Sequence, residues 1–199
     1  MKDSLTLHQS NFLIMKSNIF FALFVMAALT ILNTSCNKIK DAVKATITLT
    51  SADIEFTIPQ ITNTGTVSIA SKDVYLNVDS IIKATNSKLS ASYIKSVNVK
   101  SCTITMLDGD INNNFSALES CKCDFSSNVN ATLYTIAEIT GNPDVEAYTL
   151  EIPVNNTVNL KDYFSATTFT YNVTGTARKT TNKDIQCRAT IKYSLEAGL

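Results

Sequence analysis

Apolar and polar side chains alternate along most of the chain beyond residue 44. The apolar positions are Ile47 and Leu49, then Ile54, Phe56 and Ile58, then Val74, Leu76 and Val78. The pattern continues at Cys102, Ile104 and Met106, at Cys121, Cys123 and Phe125, and at Tyr148, Leu150 and Ile152. It is most regular at Phe169, Tyr171 and Val173, and along Ile185, Cys187, Ala189, Ile191, Tyr193 and Leu195. A period of two, with Thr, Asn and Ser between the apolar residues, is that of strands with one face buried and one in water. The stretches "NTG", "LDGD", "TGNPD" and "VNN" are turn-forming and separate these runs at sandwich-like intervals. The pattern predicts an all-β domain over 45–199. Its expected form is a single antiparallel β-sandwich of about seven or eight strands, immunoglobulin-like or jelly-roll-like.

Two short stretches predict helical turns instead: "DSIIKAT" at 79–85 and "SASYIKS" at 90–96. Asp79 or Ser80 is the expected cap of the first and Ser90 of the second. Residues 185–195 predict a central strand, with Gln186, Arg188 and Lys192 on its wet side.

The start of the chain follows a different logic. From Ile19 to Leu32 every residue except Thr30 is apolar, and Lys16 stands just ahead. The run is too short for a membrane span, which needs roughly 20 apolar residues, and has the layout of a signal peptide. That reading covers 1–35, with Met15 as an alternative start. Asn33, Thr34 and Ser35 then lead into Cys36, followed by a short polar segment over 36–44 that reads as a tether.

This arrangement resembles the lipobox of bacterial lipoproteins. It departs from that pattern in one respect: Leu32 lies four residues before the cysteine rather than three. The resemblance implies a diacylglycerol group and acyl chains on the Cys36 sulfur and new N-terminus. It further implies a membrane partner through that anchor and a place in the cell envelope at the outer membrane, facing the periplasm or the surface. Multiple acyl chains hold a protein to a bilayer far better than one. The segments "VKSCTITML", "NNFSALESCKCDFSSN" and "VNLKDYFSATTFTYNVTG" are similar to those of small β-rich lipoproteins of Gram-negative bacteria. That likeness implies a sandwich and brings no activity or site residues with it.

Composition narrows the chemistry. Seventeen basic and seventeen acidic side chains balance, which argues against a nucleic-acid partner. The single histidine, His8, lies upstream of Cys36. The domain therefore has no histidine for a Ser-His-Asp or Cys-His arrangement, or for the His-containing zinc sites. Carboxylate pairs could still support glycoside hydrolysis. The sequence thus favours a non-catalytic binding, adhesion or envelope-structural module, with a carboxylate-based hydrolase or Ca²⁺-dependent glycan-binding module as the alternative.

Three clusters carry candidate chemistry. "DGDINNNFSALE" places Asp108, Asp110, Asn112, Asn114, Ser116 and Glu119 at calcium-loop positions 1, 3, 5, 7, 9 and 12. Asn113 stands where glycine is expected, and the flanks alternate like strands, so a hairpin turn accounts for the same letters. Cys102, Cys121, Cys123 and Cys187 lie in phase with apolar neighbours. Outside the cytosol they could pair, with Cys102 and Cys187 each joined to one member of "CKC", or stay reduced as small hydrophobes. A Cu(I) or zinc site at "CKC" would need further converging ligands. Tyr163 and Tyr171 could stack on a glycan or pack in the core.

Overall fold

The computed structural model describes residues 44–51 and 53–199. The expected signal peptide over 1–35, Cys36 and the expected tether up to residue 43 lie outside the described residues, and Lys44, read as the tether's last residue, opens the first strand. The strands are β1 (Lys44–Thr50), β2 (Ile54–Ile58), β3 (Gly65–Tyr75), β4 (Ile94–Met106) and β5 (Leu118–Ser127). They continue with β6 (Tyr134–Ile139), β7 (Thr149–Ile152), β8 (Thr168–Ala177) and β9 (Ile185–Gly198). One helix, α1 (Val78–Thr85), lies between β3 and β4.

The strands form two antiparallel sheets. One has the order β1-β9-β4-β7, with β2 also on β9; the other has the order β3-β8-β5-β6. The pairing is nested: β1 and β2 with β9, β3 with β8, β4 with β7, and β5 with β6. A long hairpin folded in this way and then rolled up brings β9 beside β4 and β8 beside β5, and both contacts are present. This is the jelly-roll form of the sandwich.

β1 and β2 are two halves of one edge strand. Between them the register moves from Thr50 opposite Lys192 to Ile54 opposite Ala189. At the break, the backbone N–H of Ser51 donates to the Ile191 carbonyl at 2.7 Å. Its hydroxyl accepts from the Ile191 N–H at 2.9 Å, so a side-chain oxygen stands in for a ladder carbonyl. On the opposite flank, the chain leaving β7 crosses to the second sheet. The Glu138 N–H donates to Pro153 O and the Asn155 N–H to Ile136 O, each at 2.9 Å.

The core lies between the sheets, as the alternation predicts. Ile185, Cys187, Ala189, Ile191, Tyr193 and Leu195 are all buried, and β9 is central, with β4 on one side and β1 and β2 on the other. Phe125 lies at the centre, with Tyr163, Phe164, Phe169, Tyr171 and Tyr193 at ring-centroid distances of 5.3 to 6.2 Å. Such tilted and offset ring pairs add to the burial of the rings themselves.

Several local expectations are corrected. Val78 opens α1 rather than continuing a strand, and β3 begins earlier, at Gly65. Neither Asp79 nor Ser80 caps the helix. Asn77 does, its Oδ1 accepting from the Ser80 N–H at 3.0 Å. Asp79 instead accepts from the Ala91 N–H at 2.9 Å and pairs with Lys83 at 2.6 Å. Only Ala91–Tyr93 is helical in the second stretch, as a single 3₁₀ turn, and Ser90 makes no capping bond there. The strand β6 left no alternating trace because Ile136 and Ala137 are adjacent and both buried. A register shift between Cys123 and Asp124 on the partner strand accommodates them.

Candidate functional site

Antiparallel pairing sorts the connections onto the two ends of the sandwich. Ile58 lies opposite Ile185, Met106 opposite Cys187, and both Gly65 and Leu118 opposite Ala177. The loops over 59–64, 107–117, 140–148 and 178–184 therefore gather at one end. Lys44 lies opposite Gly198 and Ile94 opposite Ala197, which puts the start and finish of the described chain at the other.

The four-loop end is built on polar ties. The Asp108–Glu119 stretch is a turn fastened to the β8–β9 loop. Asp108 Oδ1 accepts from the Gln186 N–H at 2.7 Å, and its carbonyl accepts from Lys183 Nζ at 2.6 Å. Asp110 Oδ1 accepts from the Asn112 N–H at 2.9 Å and the Asn113 N–H at 3.1 Å. Asn113 is 1% exposed, and its amide joins the two loops. It donates to both Asp110 oxygens and to Asn182 Oδ1, and accepts from the Asn182 N–H. The Asn113 amide first, and then Lys183 at 3.1 Å, hold the Asp110 carboxyl below its ordinary range.

Several of the candidate calcium ligands have partners within the chain. Asp110 already faces an amide and an ammonium. Asn114 caps the 3₁₀ turn Phe115–Ala117 by accepting from the Ser116 N–H at 3.0 Å. Glu119 is exposed within β5. Among the described residues, no group of three or more His, Cys, Asp or Glu side chains is placed to hold a metal ion.

A second buried amide braces the same end. Asn142, 6% exposed, donates to Phe115 O at 2.7 Å and Leu118 O at 2.9 Å. Arg178 donates to its carbonyl, and Lys179 pairs with Asp144. Above this polar frame, Leu107, Ile111, Val145 and Tyr148 are exposed, Ile111 at 73%. These apolar side chains stand on loops tied down from beneath.

The four cysteines are buried free thiols on the inner faces of both sheets. Cys102 on β4 and Cys123 on β5 line the same small gap between the sheets. Burial pushes the Cys121 and Cys187 thiols up to about 12, so neither offers a thiolate near neutral pH. Tyr163 and Tyr171 are also buried, at 8% and 4% exposure. Both rings belong to the aromatic core, which closes the glycan-stacking option for this pair. Nothing in the sequence marks Asn113, Asn142 and Asn182 as the organisers of the four-loop end: Asn113 stands out only at the glycine position of the calcium-loop pattern, and Asn142 only within the turn-forming "TGNPD". An asparagine in a loop reads as turn chemistry whether its amide is buried or wet.

No family model matches the chain, and no curated protein matches it. The solved structures similar in outline include capsid proteins. The VP2 subviral particle of infectious bursal disease virus matches at 8% identity and TM-score 0.37, over 78% of this chain and 32% of that one. The capsid of Helicobacter pylori bacteriophage KHP30 matches at 9% identity and TM-score 0.32, over 78% and 99%. The cyanophage Pam1 capsid matches at 12% and 0.34, over 76% and 86%. The matched region spans about a third of the bursal disease virus chains. At these values the likeness carries no argument about function, and the jelly roll is read from the strand order itself.

Proposed function

We propose that this protein is a bacterial lipoprotein. In this reading a non-catalytic jelly-roll domain is held at the outer membrane by lipid on Cys36 and serves as a binding, adhesion or envelope-structural module. The observation that carries it is the layout of residues 16–36, in which a basic residue, an apolar run and three small polar residues lead into the thiol. The shape of the domain fits. Its chain starts at Lys44 at one end, and the exposed residues Leu107, Ile111, Val145 and Tyr148 cluster at the other. A module anchored by its first residues presents such an end to partners beyond the membrane.

Metabolic labelling with radioactive palmitate tests the anchor. The native protein is expected to take up label and partition with membranes into detergent, and Cys36→Ser to do neither. Equal labelling of the variant would sink the lipoprotein reading, even if the signal peptide were still removed.

A further inference from the structure

We infer that the end of the sandwich carrying Lys44 is a membrane-contact face that docks on an anionic phospholipid surface, an inference that rests on the Cys36 anchor proposed above. Chain length sets the first constraint. Only residues 37–43 separate Cys36 from Lys44, so the connecting chain reaches at most about 28 Å when fully extended. The fourteen residues of β9 run from the four-loop end to the Lys44 end and span roughly 46 Å. A lipid on Cys36 therefore keeps the Lys44 end near the headgroups, and the tether is too short for the molecule to invert.

The side chains at this end suit that position. Tyr75 at the end of β3 is 68% exposed, and Val129 and Leu133 on the β5–β6 connection are 53% and 58% exposed. Tyrosine and aliphatic side chains projecting together fit the boundary between headgroups and acyl chains. Lys88, Lys95 and Lys161 are exposed at the same end and form no ion pair with a described residue. Of the carboxylates nearby, Asp79 is paired with Lys83, Asp73 and Glu196 accept from the Thr170 and Ser96 hydroxyls and keep their charge, and Asp162 stands exposed beside Lys161. Cations close to a negatively charged leaflet draw the face toward it.

Charge also separates the two ends. At the four-loop end the carboxylates Asp108, Asp110, Asp144, Glu146 and Asp184 outnumber the cations Arg178, Lys179 and Lys183, two of which are paired with them, a balance that disfavours an anionic surface. Both ends expose apolar side chains, but only the Lys44 end combines them with unpaired lysines and the entry of the tether.

Fluorescence quenching on vesicles tests the face. The mature, lipidated full chain carries an environment-sensitive dye at Leu133→Cys or, separately, at Ile111→Cys; the four native domain cysteines are buried. Vesicles contain phosphatidylcholine with or without phosphatidylglycerol, plus a spin-labelled lipid as quencher. The dye at residue 133 is expected to be quenched on phosphatidylglycerol vesicles and the dye at 111 to be unaffected. Added salt, or Lys88→Glu with Lys95→Glu and Lys161→Glu, is expected to abolish the quenching while vesicle co-flotation persists. Equal quenching at both sites, or none at 133 on co-floating protein, would overturn the face and leave the anchor standing. A blue shift at 133 that grows with protein concentration in detergent, without vesicles, would assign the surface to a second copy and overturn it too. A chain that does not co-float would overturn the anchor reading and this face with it.

Discussion

The hydroxyls of Tyr171 and Tyr193 meet 3.0 Å apart inside the sandwich, one reaching from β8 in one sheet and the other from β9 in the facing sheet. Tyr193 is 0% exposed and Tyr171 is 4% exposed, so each phenol relies on the other for its hydrogen bond. Replacing either by Phe strands the remaining hydroxyl in an apolar core, at an expected cost of about 1–3 kcal/mol. Replacing both removes the two polar groups together, and the double variant should recover much of that loss. A double-mutant cycle from urea unfolding measures the coupling. Additive losses in the two single variants would mean that the hydroxyls do not depend on each other.

The buried thiols make a prediction about alkaline pH. Cys121 and Cys187 have an ordinary value of 9.0 and are pushed up to about 12 by burial. An unfolded chain therefore releases these protons first as pH rises. Stability should be complete below about pH 9 and decline progressively toward pH 12, because there the unfolded state binds fewer protons than the native one. Unfolding midpoints measured across this range should show the decline, and Cys121→Val should reduce its slope. An unchanged slope in the variant would remove Cys121 from the account.

Register along β9 can be tested with two residues three positions apart on opposite faces. Ile191 is 1% exposed on the inner face, and Ile191→Ala should cost roughly 2–5 kcal/mol through lost burial and a residual cavity. Arg188 lies on the wet side, paired with Glu55 at 3.0 Å, and Arg188→Ala should cost under ~1 kcal/mol. Chemical denaturation of both variants checks the contrast, and similar small losses would contradict the central position of β9.

The four-loop end yields a prediction about Asn113 and about calcium. Asn113→Ala removes an amide that ties the 107–117 loop to Asn182 and should cost about 1–3 kcal/mol. Because Asp110 is already engaged by Asn113 and Lys183, added Ca²⁺ is expected to leave the melting temperature unchanged. Thermal melts with and without the ion settle the matter. A rise that disappears in Asp108→Ala with Glu119→Ala would establish a calcium site instead.

Most of the strands, though not β6 or the first half of β3, were legible in the sequence because period-two alternation is local. In β9 each side chain's face follows from its own position, and every inward residue from Ile185 to Leu195 is indeed buried. The proposed anchor also rests on a local pattern, a basic residue, an apolar run and a thiol in contiguous sequence. Alternation shows that a face is covered but not by what. The nesting of β4 with β7 and β5 with β6, and hence the choice between jelly roll and immunoglobulin-like sandwich, came only from the tertiary structure. So did the Tyr171–Tyr193 bond, the meeting of Cys102 and Cys123 at one gap and the bridge from Asn113 to Asn182. Each joins residues on different strands or loops, and the pairing that brings strands together carries register shifts such as that between Leu118 and Ser120. Such a shift re-aims side chains where two particular strands meet, and neither strand's own pattern of apolar and polar residues records the meeting.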